Sequence, residues 1–352
     1  MRILFGSAHP YLPQMYGGAQ ASTHELVTRL RARGHTAAVL SGLTGDGWLG
    51  LRSRLLLKLR RRGYVRDVSL GYPVFRAWFA QEVARQVVSD FNADVAVFQS
   101  RLPVQLAQAI NRTRTKTFIY LRNVEDKDLG GPLVGLSDTG FIANSAFTAR
   151  RYAETQGVAA DVIYPMIEAE KYRVTTTREN VTFINPHPNK GVDVALKIAK
   201  ACPDIPFVFQ RGWGLTPEQE THLQTALSGL PNVALKPSTD DMRSVYSKAR
   251  ILLAPSQWEE AFGRIAAEAQ ISGIPVVASK IGGLPEAVGP GGVLVDRDAP
   301  IETWVEAVRT LWHDKQVYER LSAAAFEHAG RPEMAPDRQV DRLLEILNRP
   351  PG

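Results

Sequence analysis

Two doubly wound α/β domains in succession are what this chain of 352 residues predicts, on three observations. Short apolar runs alternate with segments of helical periodicity along nearly its whole length, the pattern of parallel sheets covered by helices. The length exceeds what one hydrophobic core usually serves. A polar run, Thr175-Thr-Thr-Arg-Glu-Asn180, interrupts the apolar segments near the middle. Domains are therefore expected at 1–172 and 178–332, followed by a terminal helix over 333–352 that packs back on the first domain.

The elements follow in order. Strands are expected at Arg2–Phe5, Thr36–Leu40, Val95–Phe98, Thr117–Leu121 and Gly140–Ala143. Between the first two, Ala19–Gly34 reads as a helix, with Leu26, Val27 and Leu30 on one face and Gly34 as its stop. The second series of strands is Val181–Ile184, Pro206–Gln210, Val233–Leu235, Ile251–Ala254, Pro275–Ala278 and Gly292–Val295. Helical periods separate them at Val192–Ala201, Pro217–Leu227, Met242–Ala249 and Ile265–Ser272. In the tail, Val340, Leu343, Leu344 and Leu347 share a helical face that Arg349-Pro-Pro ends.

Composition narrows the function classes. One cysteine, Cys202, excludes an internal disulfide and fits a reducing, cytoplasmic compartment. The apolar run after Met1 is short for a signal peptide, and nothing approaches 18 uninterrupted apolar residues. Charge is uneven: residues 1–175 hold 23 Lys/Arg against 14 Asp/Glu, and the rest 19 against 22. A basic first half expects an anionic partner. Part of the excess lies in Leu51–Arg62, which has six Lys/Arg and no acid among leucines. That run reads either as a basic helix lying on the inner face of an anionic membrane or as a solvated helix packing its leucines inward. Nucleic acid is not expected, since no aromatic-interleaved basic motif or zinc spacing accompanies the charge.

Candidate chemistry must follow a strand directly, because open α/β sheets bind ligands beyond the carboxyl ends of their strands. After Ile251–Ala254 comes Glu260-Ala-Phe-Gly-Arg-Ile-Ala-Ala-Glu268, with one carboxylate on the loop and a second in the helix. Such carboxylates accept hydrogen bonds from sugar and ribose hydroxyls, and Gly263 lets a ligand approach the backbone. The same spacing also fits an amphipathic helix with acids in its first turns. After Val181–Ile184 comes Asn185-Pro-His-Pro-Asn-Lys190-Gly191. A lysine at a helix start is electrostatically misplaced unless an anion sits there, so Lys190 is a phosphate candidate or else a solvent-facing loop residue. Arg211, after the strand ending at Gln210, and Arg264 are open to the same two readings. Gly17 and Gly18 follow the first strand, and Gly282-Gly283 another. No zinc motif, nucleophile elbow, P-loop or dinucleotide fingerprint is present, so no metal or nicotinamide cofactor is expected.

Together these residues resemble the family-four retaining glycosyltransferases of the two-Rossmann (GT-B) type. The resemblance rests on Pro255-Ser256, Glu260, Phe262-Gly263, Glu268-Ala269, Gly273-Ile-Pro275, Gly282-Gly283 and Pro285-Glu286. It extends to Phe141–Thr148, to Val162-Ile-Tyr-Pro165 and to Gly17-Gly18, and is weakest over 45–135. It implies a fold of two Rossmann-like domains facing across a cleft and a nucleotide diphosphate-sugar as donor substrate, with no further cofactor. By the resemblance Glu260 and Lys190 are catalytic: Glu260 holds sugar hydroxyls or faces the reacting centre, and Lys190 stabilises the departing diphosphate. Glu268 holds the ribose, Phe262 and Gly263 meet sugar and phosphate, and apolar contacts around Leu235 hold the base. Two departures stand out. Asn185 occupies the position of a usual Arg, so Arg211 or Arg264 replaces its charge or the diphosphate is held more weakly. Tyr120–Glu125 lacks a usual His, which leaves Arg122, Asn123 and Glu125 as the residues near the acceptor. The acceptor is a sugar, a lipid-linked glycan or a natural product. Rival readings are a nucleotide-sugar epimerase and a catalytically silent sugar- or nucleotide-binding relative.

Overall fold

A computed structural model describes residues 1–60 and 63–349, leaving Arg61, Arg62 and residues 350–352 outside the described set. Contacts divide the chain into two compact units, Met1–Ile167 with Ala335–Gly352, and Glu168–Met334.

The first unit runs β1 (Arg2–Pro10), α1 (Gly18–Ala32), β2 (Thr36–Gly42), α2 (Gly47–Arg60), β3 (Val65–Asp67), β4 (Val74–Ala77) and α3 (Ala80–Phe91). It continues with β5 (Val95–Gln99), α4 (Pro103–Ala109), β6 (Lys116–Leu121), α5 (Asp126–Leu129), β7 (Thr139–Ala143), α6 (Ala146–Gln156) and β8 (Asp161–Val162). Its strand order is β3-β4-β2-β1-β5-β6-β7-β8, parallel throughout except for the β3–β4 pair. Alternate residues of β1 enter opposite cores: Leu4 joins one face and Ile3 and Phe5 the other, all fully buried. Both faces are covered, which is why the central strands read as continuous apolar runs. Caps fix the helix starts locally; the Ser145 hydroxyl accepts from the Thr148 amide at 2.9 Å to open α6.

Two strands in this unit, β3 and β4, have no counterpart among the sequence-expected strands, and β8 meets the stretch Val162–Pro165, which the resemblance marks as a strand, only at Val162. β3 has three residues and β8 two. β4 carries Arg76 in its centre, and a charged residue hides the apolar signature. Arg76 is fully buried and satisfied there, donating to Asp67 at 2.9 Å and to the Leu12 carbonyl at 2.6 Å.

The second unit runs β9 (Asn180–Ile184), α7 (Val192–Ala201), β10 (Phe207–Gln210), α8 (Pro217–Leu227), β11 (Val233–Lys236), α9 (Met242–Tyr246) and β12 (Ala249–Ala254). It ends with α10 (Arg264–Gln270), β13 (Val276–Ser279), α11 (Leu284–Val288), β14 (Gly292–Val295), α12 (Ile301–His313) and α13 (Lys315–Ala329). All six strands are parallel, in the order β11-β10-β9-β12-β13-β14. That is a doubly wound sheet with its switch point between β9 and β12. All six lie where apolar runs predict them. Helix α9 stops at Tyr246 rather than Ala249, because the Ser247 and Lys248 carbonyls are taken by the Thr177 and Glu179 amides at 2.7 and 2.8 Å. Tyr172 belongs to this unit, its carbonyl accepting from Ser272 and its hydroxyl from Arg264.

The chain returns to the first unit in α14 (Pro336–Asn348). Val340, Leu343 and Leu347 are fully buried in the core that holds Leu26 and Leu30 of α1. Arg29 of α1 and Arg33, which caps its end, pair with Asp337 at 3.1 and 3.0 Å.

Candidate functional site

Because the connections from β9 and β12 run in opposite directions, the loops after these two strands border the crevice where such sheets take ligands. The loop after β9 is residues 185–191, and that after β12 is residues 255–263. They are joined backbone to backbone, the Gln257 amide donating to the Asn189 carbonyl at 2.9 Å. Gly191 makes this approach possible. Its φ is +82°, and a Cβ there would land on the Pro255 carbonyl oxygen.

Lys190 ends a 3-10 turn, Pro188–Lys190, and its ammonium donates to Glu260 Oε1 at 2.6 Å. The Ser256 hydroxyl donates to the same oxygen at 2.7 Å. Both charged side chains are largely enclosed, Lys190 at 13% exposure and Glu260 at 15%. Two indoles flank the ammonium, with Nζ 4.8 Å from the Trp213 ring centre and 5.5 Å from that of Trp258. His187 meets Trp213 edge to face at 5.5 Å. Burial, and then the Lys190 charge, pushes His187 below the ordinary histidine range, so its ring is neutral near pH 7. The Trp258 ring N–H is buried with no acceptor among the described residues. An enclosed cation, a carboxylate and an orphaned donor between aromatic walls can bind an oxyanion and hydroxyl groups together.

Glu268 lies inside α10 at 5% exposure. Its Oε1 accepts from Arg264 Nε at 2.6 Å and its Oε2 from the Tyr246 hydroxyl at 3.0 Å. Burial, and then the Glu268 carboxylate, raises the Tyr246 hydroxyl far above the usual tyrosine range. Arg264 also donates to the Tyr172 hydroxyl at 2.7 Å. Arg211 forms a two-point pair with Glu220, one contact at 2.7 Å, and holds that carboxyl down to about 2. Both arginines offered as substitutes at the Asn185 position are thus engaged by carboxylates of their own. Asn185 has a structural reason of its own to be asparagine. It sits at φ +66°, and its Oδ1 accepts from the Trp213 amide at 2.9 Å. Phe262 is buried, Gly263 caps α10, and Leu235 lies half-buried on the edge strand β11. Gly282 lets its loop lie on the Glu260 loop, since a Cβ would stand 2.5 Å from the Glu260 carbonyl oxygen. Gly283 donates its amide to that oxygen at 2.7 Å.

In the first unit, a small recess opens at the carboxyl ends of β1, β2 and β5, against the start of α1. Ser7, His9, Thr23, Ser41, Gln99 and Ser100 supply its polar lining. Among the described residues, His9 Nδ1 and Gln99 Oε1 are buried polar atoms without a hydrogen-bond partner. Burial, and then Arg101, lowers the His9 pKa. Of the residues expected at the acceptor, Arg122 lies beside this lining. Arg122 is buried, stacks 4.1 Å from the Tyr120 ring centre, and donates to the Ala19 carbonyl at 2.9 Å and the Thr23 hydroxyl at 3.2 Å. It therefore ties β6 to α1. Asn123 donates to Asp128 at 2.9 Å, and Glu125 precedes α5 with its carboxylate on the Val124 amide. Gly17 is extended, and a Cβ there would meet only the tip of Gln20, so neither a turn nor a close approach demands a glycine. Gly18 opens α1. Sequence reasoning missed His9 and Gln99. Both directly follow or end strands of the sheet, the one signal that could have found them.

Residues 175–328 match the family described as glycosyl transferases group 1. The second unit is a glycosyl transferases group 1 domain. Over 228 residues, 57% of the chain, the protein is 31% identical to the D-inositol 3-phosphate glycosyltransferase of Segniliparus rotundus. Over 92 residues, 26% of the chain, it is 46% identical to the enzyme of that name from Corynebacterium diphtheriae. These matches span 50% and 21% of the relatives' own lengths. Solved structures share the fold across nearly the whole chain. A glycosyltransferase from Rickettsia africae superposes with a TM-score of 0.77 at 16% identity, covering 98% of this chain and 97% of that one. Anabaena HepE in complex with UDP and glucose does so with a TM-score of 0.77 at 20% identity, covering 99% of both. The architecture is therefore GT-B, with the Lys190–Glu260 cluster inside the group 1 domain.

Proposed function

We propose that the protein is a retaining glycosyltransferase that moves a sugar from a nucleotide diphosphate-sugar to a hydroxyl of an acceptor. One observation carries this reading: Lys190, Ser256 and Glu260, drawn from two loops at the switch point of a group 1 domain, meet around a single carboxylate oxygen. The donor diphosphate takes Lys190, Glu260 turns to sugar hydroxyls, and the Trp258 N–H gains its missing acceptor. In the step itself the acceptor oxygen forms a bond to the anomeric carbon while the bond from that carbon to the β-phosphate oxygen breaks. The acceptor proton passes to the departing phosphate, and a nucleoside diphosphate leaves. Negative charge grows on the leaving oxygen, so a fixed ammonium stabilises the transition state more than the bound donor. A hydroxyl group of the acceptor meets the recess of the first unit, where His9 and Gln99 atoms lack a partner.

Release of nucleoside diphosphate by the wild type, Lys190→Ala and Glu260→Ala tests the site. Unchanged release in both variants overturns it. UDP is bound in HepE, and D-inositol 3-phosphate is in the relatives' name, so uridine diphosphate sugars and inositol phosphates are the first donors and acceptors to try. The proposal includes metal-independent transfer, checked by activity that survives a chelator, and retention, checked by the product's anomeric coupling constant. A new donor isomer formed without acceptor would instead make the protein an epimerase.

A further inference from the structure

We infer that the face of α2 turned to solvent is a docking surface for an anionic lipid bilayer. The inference does not depend on the transfer chemistry. At about 100° per residue, Trp48, Leu51, Leu55 and Leu59 share one arc of about 80°. All four point outward: Trp48 is 78% exposed, Leu51 58%, Leu55 60% and Leu59 70%. The helix instead buries Gly50 and Ser53 and half-buries Leu49, Leu56 and Leu57. Of the two readings of the basic run, inward packing holds in part for Leu56 and Leu57 but not for Leu51, Leu55 and Leu59, while Arg61 and Arg62 lie outside the described residues.

What flanks the stripe decides the partner. Arg52 lies on one side of the arc and Arg54 and Lys58 on the other, all exposed, and the helix contains no Asp or Glu. The apolar surface continues onto the end of β4, where Phe79 is 59% and Trp78 42% exposed. Arg54 links the two parts, its guanidinium 5.9 Å from the Trp78 ring centre. An apolar arc with cations on both margins complements a bilayer. Leucines and indoles enter the headgroup boundary, while arginine and lysine stems reach outward to lipid phosphates. Neither signal alone anchors firmly, and here both occur on one helix. Among the described residues no helix is long and apolar enough to cross a membrane, so the contact is peripheral.

Sedimentation of the full chain with vesicles of phosphatidylcholine, alone or mixed with phosphatidylglycerol, tests this. Binding to the mixed vesicles is expected, with little to phosphatidylcholine alone and a marked fall between ~0.05 and ~0.5 M salt. The double variant Arg52→Glu/Lys58→Glu lowers partition at least about tenfold. Leu51→Asp/Leu55→Asp abolishes it with the unfolding midpoint little changed, since both side chains are more than half exposed. No sedimentation, equal binding to both vesicles, or variants that bind like the wild type would overturn the inference. So would a concentration-dependent dimer, without vesicle binding, that Leu55→Asp disperses; the face would then belong to a second copy of the chain.

Discussion

Lys190 is held at its post by its neighbours before any ligand arrives. The Glu260 carboxylate, the two indoles and the Gly191 turn all restrict it, so little side-chain ordering remains when a diphosphate takes the ammonium. Lys190→Ala should cut kcat by about 10²–10³, in line with losing one charge-stabilising donor, while donor KM changes less. Steady-state kinetics at saturating donor check this split. Asn185 yields a prediction of the opposite kind. Installing the family's arginine there should restore no activity, because the site asks for a left-handed residue whose side chain accepts from the Trp213 amide. Asn185→Arg is expected to cost about 1–2 kcal/mol in denaturant unfolding, and Asn185→Gly less. At this scale Lys190 and Glu260 were legible because each directly follows an apolar strand. Ser256 as a partner of Glu260, and Glu220 as the partner of Arg211, were not. Spacing says which loop a residue occupies, and only the fold says which neighbour claims its charge.

Elements were legible in proportion to how apolar they are. The six strands of the second sheet announce themselves, whereas β4 is masked by Arg76, a charge that the fold neutralises rather than exposes. Arg76 fastens β4 to the loop after β1 through the Leu12 carbonyl, and with it the approach to Gly17 and the first-unit recess. Burial acts to raise the Asp67 pKa, but hydrogen bonds from the Ser69 amide and Arg76 outweigh it, and the net shift is downward. A folded-state pKa below the unfolded one stabilises the fold above the ordinary aspartate value of about 3.9, and that contribution fades as pH falls through the lowered value. Wild-type urea midpoints should therefore fall at acid pH with a component that Asp67→Asn lacks. Asp67→Ala leaves a buried guanidinium without its counter-charge and should cost about 3–5 kcal/mol at neutral pH. A loss below about 1 kcal/mol would mean that the Tyr11 and Leu12 carbonyls suffice.

The whole molecule joins one unit made from a single stretch of chain to another that is finished only when the C-terminal helix returns. Glu168–Met334 has its own sheet and core. The first unit borrows Val340, Leu343, Ile346 and Leu347 from the far end of the sequence. Their periodicity marks a helix in the sequence, but an amphipathic stripe carries no address, and only packing assigns it to the core beside α1. This division makes a separable thermodynamic prediction. Leu343 is fully buried, so Leu343→Ala should cost about 2–5 kcal/mol, all of it in the first unit. A nucleoside diphosphate bound by the group 1 domain should stabilise that second unit by about 2.7 kcal/mol at a hundred times its Kd. Scanning calorimetry of the full chain should therefore resolve two transitions that the two perturbations move independently. Leu343→Ala lowers one midpoint and leaves the other, and the nucleotide raises the midpoint that the mutation left alone. If both perturbations moved the same transition, either the returning helix would not complete the first unit or the nucleotide would not bind the second. Repeating the nucleotide titration with Lys190→Ala, which should weaken only the ligand-induced shift, distinguishes those two failures.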